Sequence, residues 1–467
     1  MKPKRVSRRE LFAATSAVAG LSAGRAYEME RDLSTQLAAS PALAQDEDKR
    51  TAWYREAKFG MFIHWGPYSL ASVEASWPIM RPSKEFAITE AEYRALPQRF
   101  NPAHFDPDSW VSLARSTGQR YMVFTTKHHD GFCMFDSAYT DYKITNTPYK
   151  KDIVAELASA CKRQNMPLGF YYSPPDMNHP AFRDTSQPSS SNWNGEPTRE
   201  VWPLYLHYME LQLRELLTRY GDVCIIWFDG LNNQRKYDGH HMLRVILDMQ
   251  SQTLINNRIG IPGDYETPEQ FLPASIPVKG HTLDYNHHET GSNPAFVPPA
   301  QDFRLWETCM TINHTWAYNK NDREFKSSRD LIRTLVEVAS RGGNFLLNVG
   351  PEPDGTIQPE FTERLEAIGR WMKANGESIY GTTYGPIQNA GSVRTTAKGR
   401  NVFVHVFDWP GSTLELTATS LPRFRSAHLL ASGAAVDFRQ TSSRLTLHLP
   451  SQAPDPDVTV IKLIAKS

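Results

Sequence analysis

The chain has 467 residues, 51 of them basic and 51 acidic, with a pI near 7.3. So even a balance leaves no electrostatic footprint for nucleic acid or an anionic membrane surface and favours small neutral partners. Aromatic residues at 11% of the chain suffice for both a core and stacking platforms for sugar faces.

In chain order, the amino terminus reads as an export signal. Lys2, Lys4 and Arg5 precede Ser7-Arg8-Arg9-Glu10-Leu11-Phe12 and a mildly apolar stretch through Leu21, the pattern of a twin-arginine (Tat) leader. The stretch is too short for a membrane span of about 20 apolar residues. Ala42-Leu43-Ala44 offers a cleavage site, with Gly24-Arg25-Ala26 as a rival. The expected organisation is therefore a leader over residues 1–44, a catalytic domain over 45–380 and a carboxy-terminal domain over 381–467, with a periplasmic or secreted location.

From about residue 50 to about 376, short apolar runs end in polar or aromatic residues. Phe59 to Ile63 delivers His64-Trp65-Gly66, Tyr121 to Phe124 delivers Lys127-His128-His129-Asp130, and Leu168-Gly169-Phe170 delivers Tyr171-Tyr172-Ser173. Val223 to Phe228 delivers Asp229-Gly230, Leu254-Ile255 delivers Asn256-Asn257-Arg258, and Phe345 to Leu347 delivers Asn348-Val349-Gly350. Runs of this kind fit buried parallel strands. Helical periodicity lies between them, as in Trp110, Leu113 and Ala114 after Asp106-Pro107, in Ile153, Leu157 and Cys161, and in Leu331, Leu335, Val338 and Ala339. Repeated strand and helix over this length predict a TIM-like (β/α)8 barrel with its active site at the strand C-terminal ends. After Tyr380-Gly381 the texture changes to alternating runs such as Leu445-Thr446-Leu447-His448-Leu449, predicting an antiparallel β-sandwich.

Asp229 is the most informative residue, because a carboxylate at the mouth of a buried strand costs several kcal/mol unless partners offset it. His128 and His129 invite comparison with a metal site. Neighbours on a strand face opposite ways, so both reach one ligand only if the backbone bends; hydrogen bonding to a polyol is the preferred use. Arg258 reads equally as an ion-pair partner or a ligand. Cys133, Cys161, Cys224 and Cys309 lack clustered spacing and are expected to be buried thiols. No metal or cofactor is called for.

Several of these blocks together resemble glycoside hydrolase family 29, the α-L-fucosidases. They are Trp53-Tyr54, Lys58 to Gly66, Lys127-His128-His129-Asp130-Gly131-Phe132, Gly169 to Ser173, Trp227-Phe228-Asp229-Gly230 and Gly342 to Pro351. They fall in family order between about residues 51 and 383, and the following β-domain also matches.

The resemblance implies an exo-acting retaining glycosidase that removes terminal fucose from an oligosaccharide or glycoconjugate by double displacement, with Asp229 as nucleophile. It maps Glu269 to the acid/base, with Glu266 as runner-up and Glu289 third. His64, Trp77, His128, His129 and Arg258 would hold the sugar hydroxyls, with Tyr171 or Tyr172 alongside, since alternation lets only one tyrosine face the pocket. Trp316 would pack against the C6 methyl. Ser76 departs from the family, which commonly has glutamate before this tryptophan; Glu74 is a candidate substitute. The stretch Val278 to Gln301 is longer than the family pattern, a second departure that bears on substrate detail, and the long loop Asp176 to Glu200 is expected to shape acceptor selection. Two other readings are a non-catalytic fucose-binding protein on the same scaffold and a barrel hydrolase with a metal at His128 and His129.

Overall fold

The computed structural model describes residues 41–80, 86–183, 200–230, 237–279, 300–387 and 391–466, with the backbone alone described over 41–48. The leader motif and Glu289 lie outside these residues, as do most of the Val278 to Gln301 stretch and most of the loop after Asp176.

Seven parallel strands form one curled sheet: β1 (Phe59–Ile63), β2 (Met122–Lys127), β3 (Leu168–Tyr172), β4 (Ile225–Phe228), β5 (Leu254–Ile255), β6 (Glu307–Thr311) and β7 (Asn344–Val349). Their spatial order is β5-β4-β3-β2-β1-β7-β6. The two edges are joined by the segment Tyr265 to Glu269, whose residues make parallel bridges to both sides: Tyr265 to Asn256 after β5, and Glu266 and Glu269 to Trp306 and Cys309 at β6. This short piece takes the eighth place in the barrel. Its Pro268 and the turn at Gly263 conceal it from any search for an apolar run.

Period-two alternation divides the strand side chains between two cores. Phe62, Tyr121, Val123, Tyr171, Ile225, Trp227, Leu254, Tyr265 and Leu346 pack together inside the barrel. Met61, Ile63, Phe124, Phe170, Tyr172, Ile226 and Phe228 pack with the helical layer. That layer includes the helices Pro107–Ser116, Ile153–Arg163, Ser328–Ser340 and Pro359–Asn375. Asp106 caps the first of these through the N–H groups of Asp108 and Ser109 at 3.1 and 3.2 Å, ahead of Pro107. The helix Pro41–Ala57 stoppers the N-terminal end of the barrel, with Tyr54 in the interior core and its carbonyl accepting from Asn344 at 2.8 Å.

Beyond the barrel, a five-stranded antiparallel sheet faces a three-stranded one. In the strands Thr413–Thr417 and Arg444–His448 every second residue is buried, and Leu414, Leu416, Leu445 and Leu447 meet Val404, Ile461 and Leu463 of the larger sheet. This sandwich docks on the barrel's flank. Trp371 donates to the Val458 carbonyl at 2.9 Å, Arg394 pairs with Glu337 at 2.7 Å, and Phe403, Val458 and Val460 join the helix-layer core. The four cysteines are free thiols; Cys133, Cys161 and Cys309 are buried and Cys224 is partly covered.

His405 is fully buried at this junction. Its Nε2 meets Thr396 Oγ1 at 3.0 Å. Thr396 spends its proton on the Ser378 carbonyl at 2.7 Å, so it must accept from the imidazole. Nδ1 is then an acceptor with no partner among the described residues. Burial pushes the imidazole down to about 3. The folded protein therefore keeps His405 neutral at pH values where the unfolded chain, titrating near the ordinary value of 6.5, takes up a proton. This contribution is complete above pH 6.5 and is lost as pH falls towards 3. Urea unfolding at pH 7 and pH 4 should show a smaller acid loss for His405→Leu than for wild type, by about 2 kcal/mol or more. Equal losses would refute this account.

Candidate functional site

The side chains gathered at the C-terminal mouth of the barrel come from the ends of its seven strands and from the closing segment. Asp229, directly after β4, is largely buried, its side chain 14% exposed. Three groups converge on it. The Tyr171 hydroxyl donates to Oδ2 at 2.8 Å, Arg258 Nη1 donates to Oδ1 at 3.0 Å, and His129 Nε2 stands 3.4 Å from Oδ2. Burial alone would raise this carboxyl, but His129 and Arg258 overcome it and hold it well below the usual carboxylate range.

Arg258 organises the floor. Nη1 also donates to Glu269 Oε2 at 2.8 Å, so one nitrogen joins two carboxylates. Their bonded oxygens are consequently no more than about 6 Å apart, an upper bound that accommodates the roughly 5 to 5.5 Å of a retaining pair. The other two nitrogens are locked on Thr267, Nε to its hydroxyl and Nη2 to its carbonyl, both at 2.9 Å. The guanidinium lies 4.7 Å above the Trp227 ring, a cation–π contact. Gly230 makes this approach possible: its N–H donates to the Arg258 carbonyl at 2.8 Å, and a Cβ there would fall 2.3 Å from that oxygen.

Alternation in the closing segment separates the glutamates. Tyr265 and Thr267 point to the interior and its floor, and Glu269 reaches Arg258. Glu266 turns towards Arg304, 3.5 Å away, and is not brought to Asp229. The same rule divides the tyrosines. Tyr171 lies in the barrel interior, stacked on Trp227 at 5.6 Å and on His128 at 5.3 Å. Tyr172 faces the helix layer, donates to Gln212 at 2.8 Å and lies beneath Lys127 at 4.4 Å. Of the two tyrosines left open by the sequence, Tyr171 is the one in the barrel interior and Tyr172 the one turned away from it.

Both His128 and His129 reach the mouth because the chain turns directly after β2: the Gly131 N–H returns to the His128 carbonyl at 3.0 Å, with Gly131 at φ 78°. Each ring is held by a serine. Ser76 Oγ is 2.6 Å from His128 Nδ1, and Ser173 Oγ is 2.5 Å from His129 Nδ1. Ser173 donates to the Pro175 carbonyl at 2.7 Å, so it accepts from His129 and fixes the proton on Nδ1. Among the described residues no group of three or more His, Cys, Asp or Glu side chains is placed to hold a metal ion.

The opposite wall begins with His64. Its Nδ1 lies 2.7 Å from Asn348 Oδ1, and burial lowers the imidazole to about 4. Asn348 Nδ2 donates to the Trp316 carbonyl at 2.8 Å, and the Trp316 ring stands 4.9 Å from His64. Glu74 accepts from the backbone N–H groups of Trp316 and Ala317, and burial lifts its carboxyl to about 7. Trp77, half-buried, opens the short helix Trp77–Met80 immediately after Ser76.

Sequence reasoning assigned no role to Ser173, Asn348 or Glu307. The first two stand at strand ends and were open to the rule that found Asp229. Glu307 carried no such signal. It is fully buried under the floor, accepting from Tyr54 at 3.1 Å, from Trp227 Nε1 at 3.0 Å and from Tyr121, and burial lifts it to about 7.

A family model described as Alpha-L-fucosidase matches residues 29–377. The plasma alpha-L-fucosidase of Homo sapiens is 30% identical over 405 residues, covering 79% of this chain and 78% of that protein. The plasma enzyme of Rattus norvegicus is 31% identical over 373 residues, covering 75% and 76%. Alpha-L-fucosidase isoenzyme 1 from Paenibacillus thiaminolyticus superposes with a TM-score of 0.77 at 34% identity, over 90% of this chain and all of that one. A GH29 alpha-L-fucosidase from Bacteroides thetaiotaomicron, trapped as a covalent intermediate with 2-fluoro-fucosyl fluoride, superposes with a TM-score of 0.75 at 28% identity over 90% and 97%. Parallel barrel, antiparallel sandwich and matched length agree with these relatives, and the chain belongs to the α-L-fucosidase family, glycoside hydrolase family 29.

Proposed function

We propose that this protein is an exo-acting, retaining α-L-fucosidase that removes terminal fucose from glycans, with Asp229 as nucleophile and Glu269 as acid/base. The observation that carries the residue assignment is the single Arg258 nitrogen shared by the two carboxylates, which brings them to nucleophile-to-acid range. Asp229, ionised and deep, attacks the anomeric carbon. Glu269, with its side chain 27% exposed at the mouth, takes a proton from solvent and delivers it to the departing glycosidic oxygen. The bond to the aglycone breaks as the fucosyl ester forms. In the second step Glu269 removes a proton from water, which attacks the same carbon and expels Asp229, so configuration is retained. His64, His128 and His129 present imidazole edges to the hydroxyls, Arg258 and Tyr171 hold the nucleophile, Trp77 stands at the rim, and Trp316 supplies an apolar wall for the deoxy methyl.

A purely sugar-binding role leaves the paired carboxylates unused. The twin arginines Arg8 and Arg9 support export to the periplasm or beyond, with residues 1–44 as leader, 45–380 as the catalytic unit and 381–467 as the sandwich. Among the described residues no helix is long and apolar enough to cross a membrane.

Asp229→Asn should lower kcat on an aryl α-L-fucoside by about 10³-fold or more, and NMR of the first product formed by wild type should show the α anomer. Glu269→Gln should lose far more activity on natural glycans than on an aryl fucoside whose leaving group needs no proton. Wild type that binds fucose without turning over any fucoside would favour the binding reading. Arg258→Met removes a positive charge beside Asp229, so its pKa rises and the acidic limb of the kcat/KM profile should move to higher pH; an unmoved limb contradicts the assignment. Arg8→Lys with Arg9→Lys should leave activity in the cytoplasmic fraction, whereas undiminished export would refute the leader.

A further inference from the structure

Glu74 differs from the other carboxylates of the mouth in that its oxygens are occupied by main chain. Oε2 accepts from the Trp316 N–H at 2.9 Å, and Oε1 accepts from Ala317 at 3.2 Å and from its own neighbour Ala75 at 3.0 Å. Two of these donors lie in the loop after β6, while Glu74 lies in the loop after β1; β7 runs between those strands. The contact thus spans three strand ends. Asn348 at the end of β7 completes the web, one side of its amide on His64 and the other on the Trp316 carbonyl. Trp316 is therefore gripped at both its N–H and its C=O, by a side chain from another loop and by one from β7.

The loop carrying Glu74 is itself tightly specified. Ser72 and Ser76, on either side, sit in the left-handed region at φ 54° and 64°. Non-glycine residues hold that conformation only where their surroundings enforce it. Ser76 is enforced by the Tyr93 hydroxyl on its N–H at 2.9 Å and by His128 and the Asp130 N–H on its own hydroxyl at 2.6 and 2.9 Å. One short segment thereby sets both His128 of the mouth and, through Glu74, the indole that stands against His64.

We infer that Glu74 is a specificity-determining positioning residue, a carboxylate clamp that fixes the Trp316 wall against His64 and so sets preference for the deoxy methyl. The inference rests on the fucosidase reading above. It also revises the expectation that Glu74 contacts sugar hydroxyls: its acceptor capacity is directed to the loop.

The test compares nitrophenyl α-L-fucoside with nitrophenyl β-D-arabinopyranoside, the same ring without its methyl. In Glu74→Gln, an NH₂ replaces one oxygen and cannot accept from the backbone donors. KM for the fucoside should rise about tenfold with kcat changed less than about threefold, and the ratio of kcat/KM values for the two substrates should fall about fivefold or more. Glu74→Asp keeps the carboxyl group, loses the reach, and should show the same loss of ratio, so a folding defect in one variant leaves the other to decide. In the Trp316→Ala background, neither substitution should lower the ratio further. An unchanged ratio in a folded variant with active wild type overturns the clamp alone. Wild type inactive on the fucoside overturns the fucosidase reading and the clamp together.

Discussion

One guanidinium governs this active site. Arg258, 6% exposed, is a buried cation whose desolvation is offset by two carboxylates, a threonine and an indole face. The partners constrain one another: Thr267 fixes the plane of the fork, the fork fixes where Asp229 Oδ1 and Glu269 Oε2 can lie, and both distances follow. Removing one member of such a buried set typically costs about 3 to 5 kcal/mol, because the remaining charges stay buried. The two carboxylates are thus located by electrostatics in a place where loops alone would leave them loose.

Beneath that floor lies a second polar layer. Trp227 is the plate between them, stacked on Tyr171, under Arg258, and bonded through Nε1 to Glu307. Glu307 satisfies the indole N–H and two tyrosine hydroxyls that the barrel interior would otherwise bury without partners. The Tyr54 hydroxyl belongs to the helix that stoppers the barrel's N-terminal end, so packing at the bottom is continuous with the geometry of the mouth. The walls follow the same pattern, with Ser76, Ser173 and Asn348 each meeting one imidazole Nδ1 and the Nε2 of His129 turned towards Asp229.

Much of this was legible in one dimension. The apolar runs ending in polar residues marked β1 to β5 and β7, and the carboxylate after Trp227-Phe228 drew attention to Asp229, because a charge beside a buried strand requires a reason. The closing segment Tyr265 to Glu269 was not legible as a strand: it is short, holds a proline, and makes isolated bridges where a ladder would have left an apolar signature. For the same reason Glu266 and Glu269 stood as rivals until alternation could be counted from a known register. The histidine pair depended on a turn at Gly131 whose sense no local pattern encodes.

By itself the sequence determined the barrel and sandwich, the family, and the set of residues from which the site is drawn, since hydrophobic period and local residue chemistry are properties of short stretches of chain. Tertiary structure alone decided that Tyr171 and Glu269 enter while Tyr172 and Glu266 turn away, that Glu74 serves a loop, and that one arginine joins two acids. Those outcomes depend on strand register and on contacts such as Glu74 to Trp316, separated by 242 positions, which form only when the ring of strands has closed.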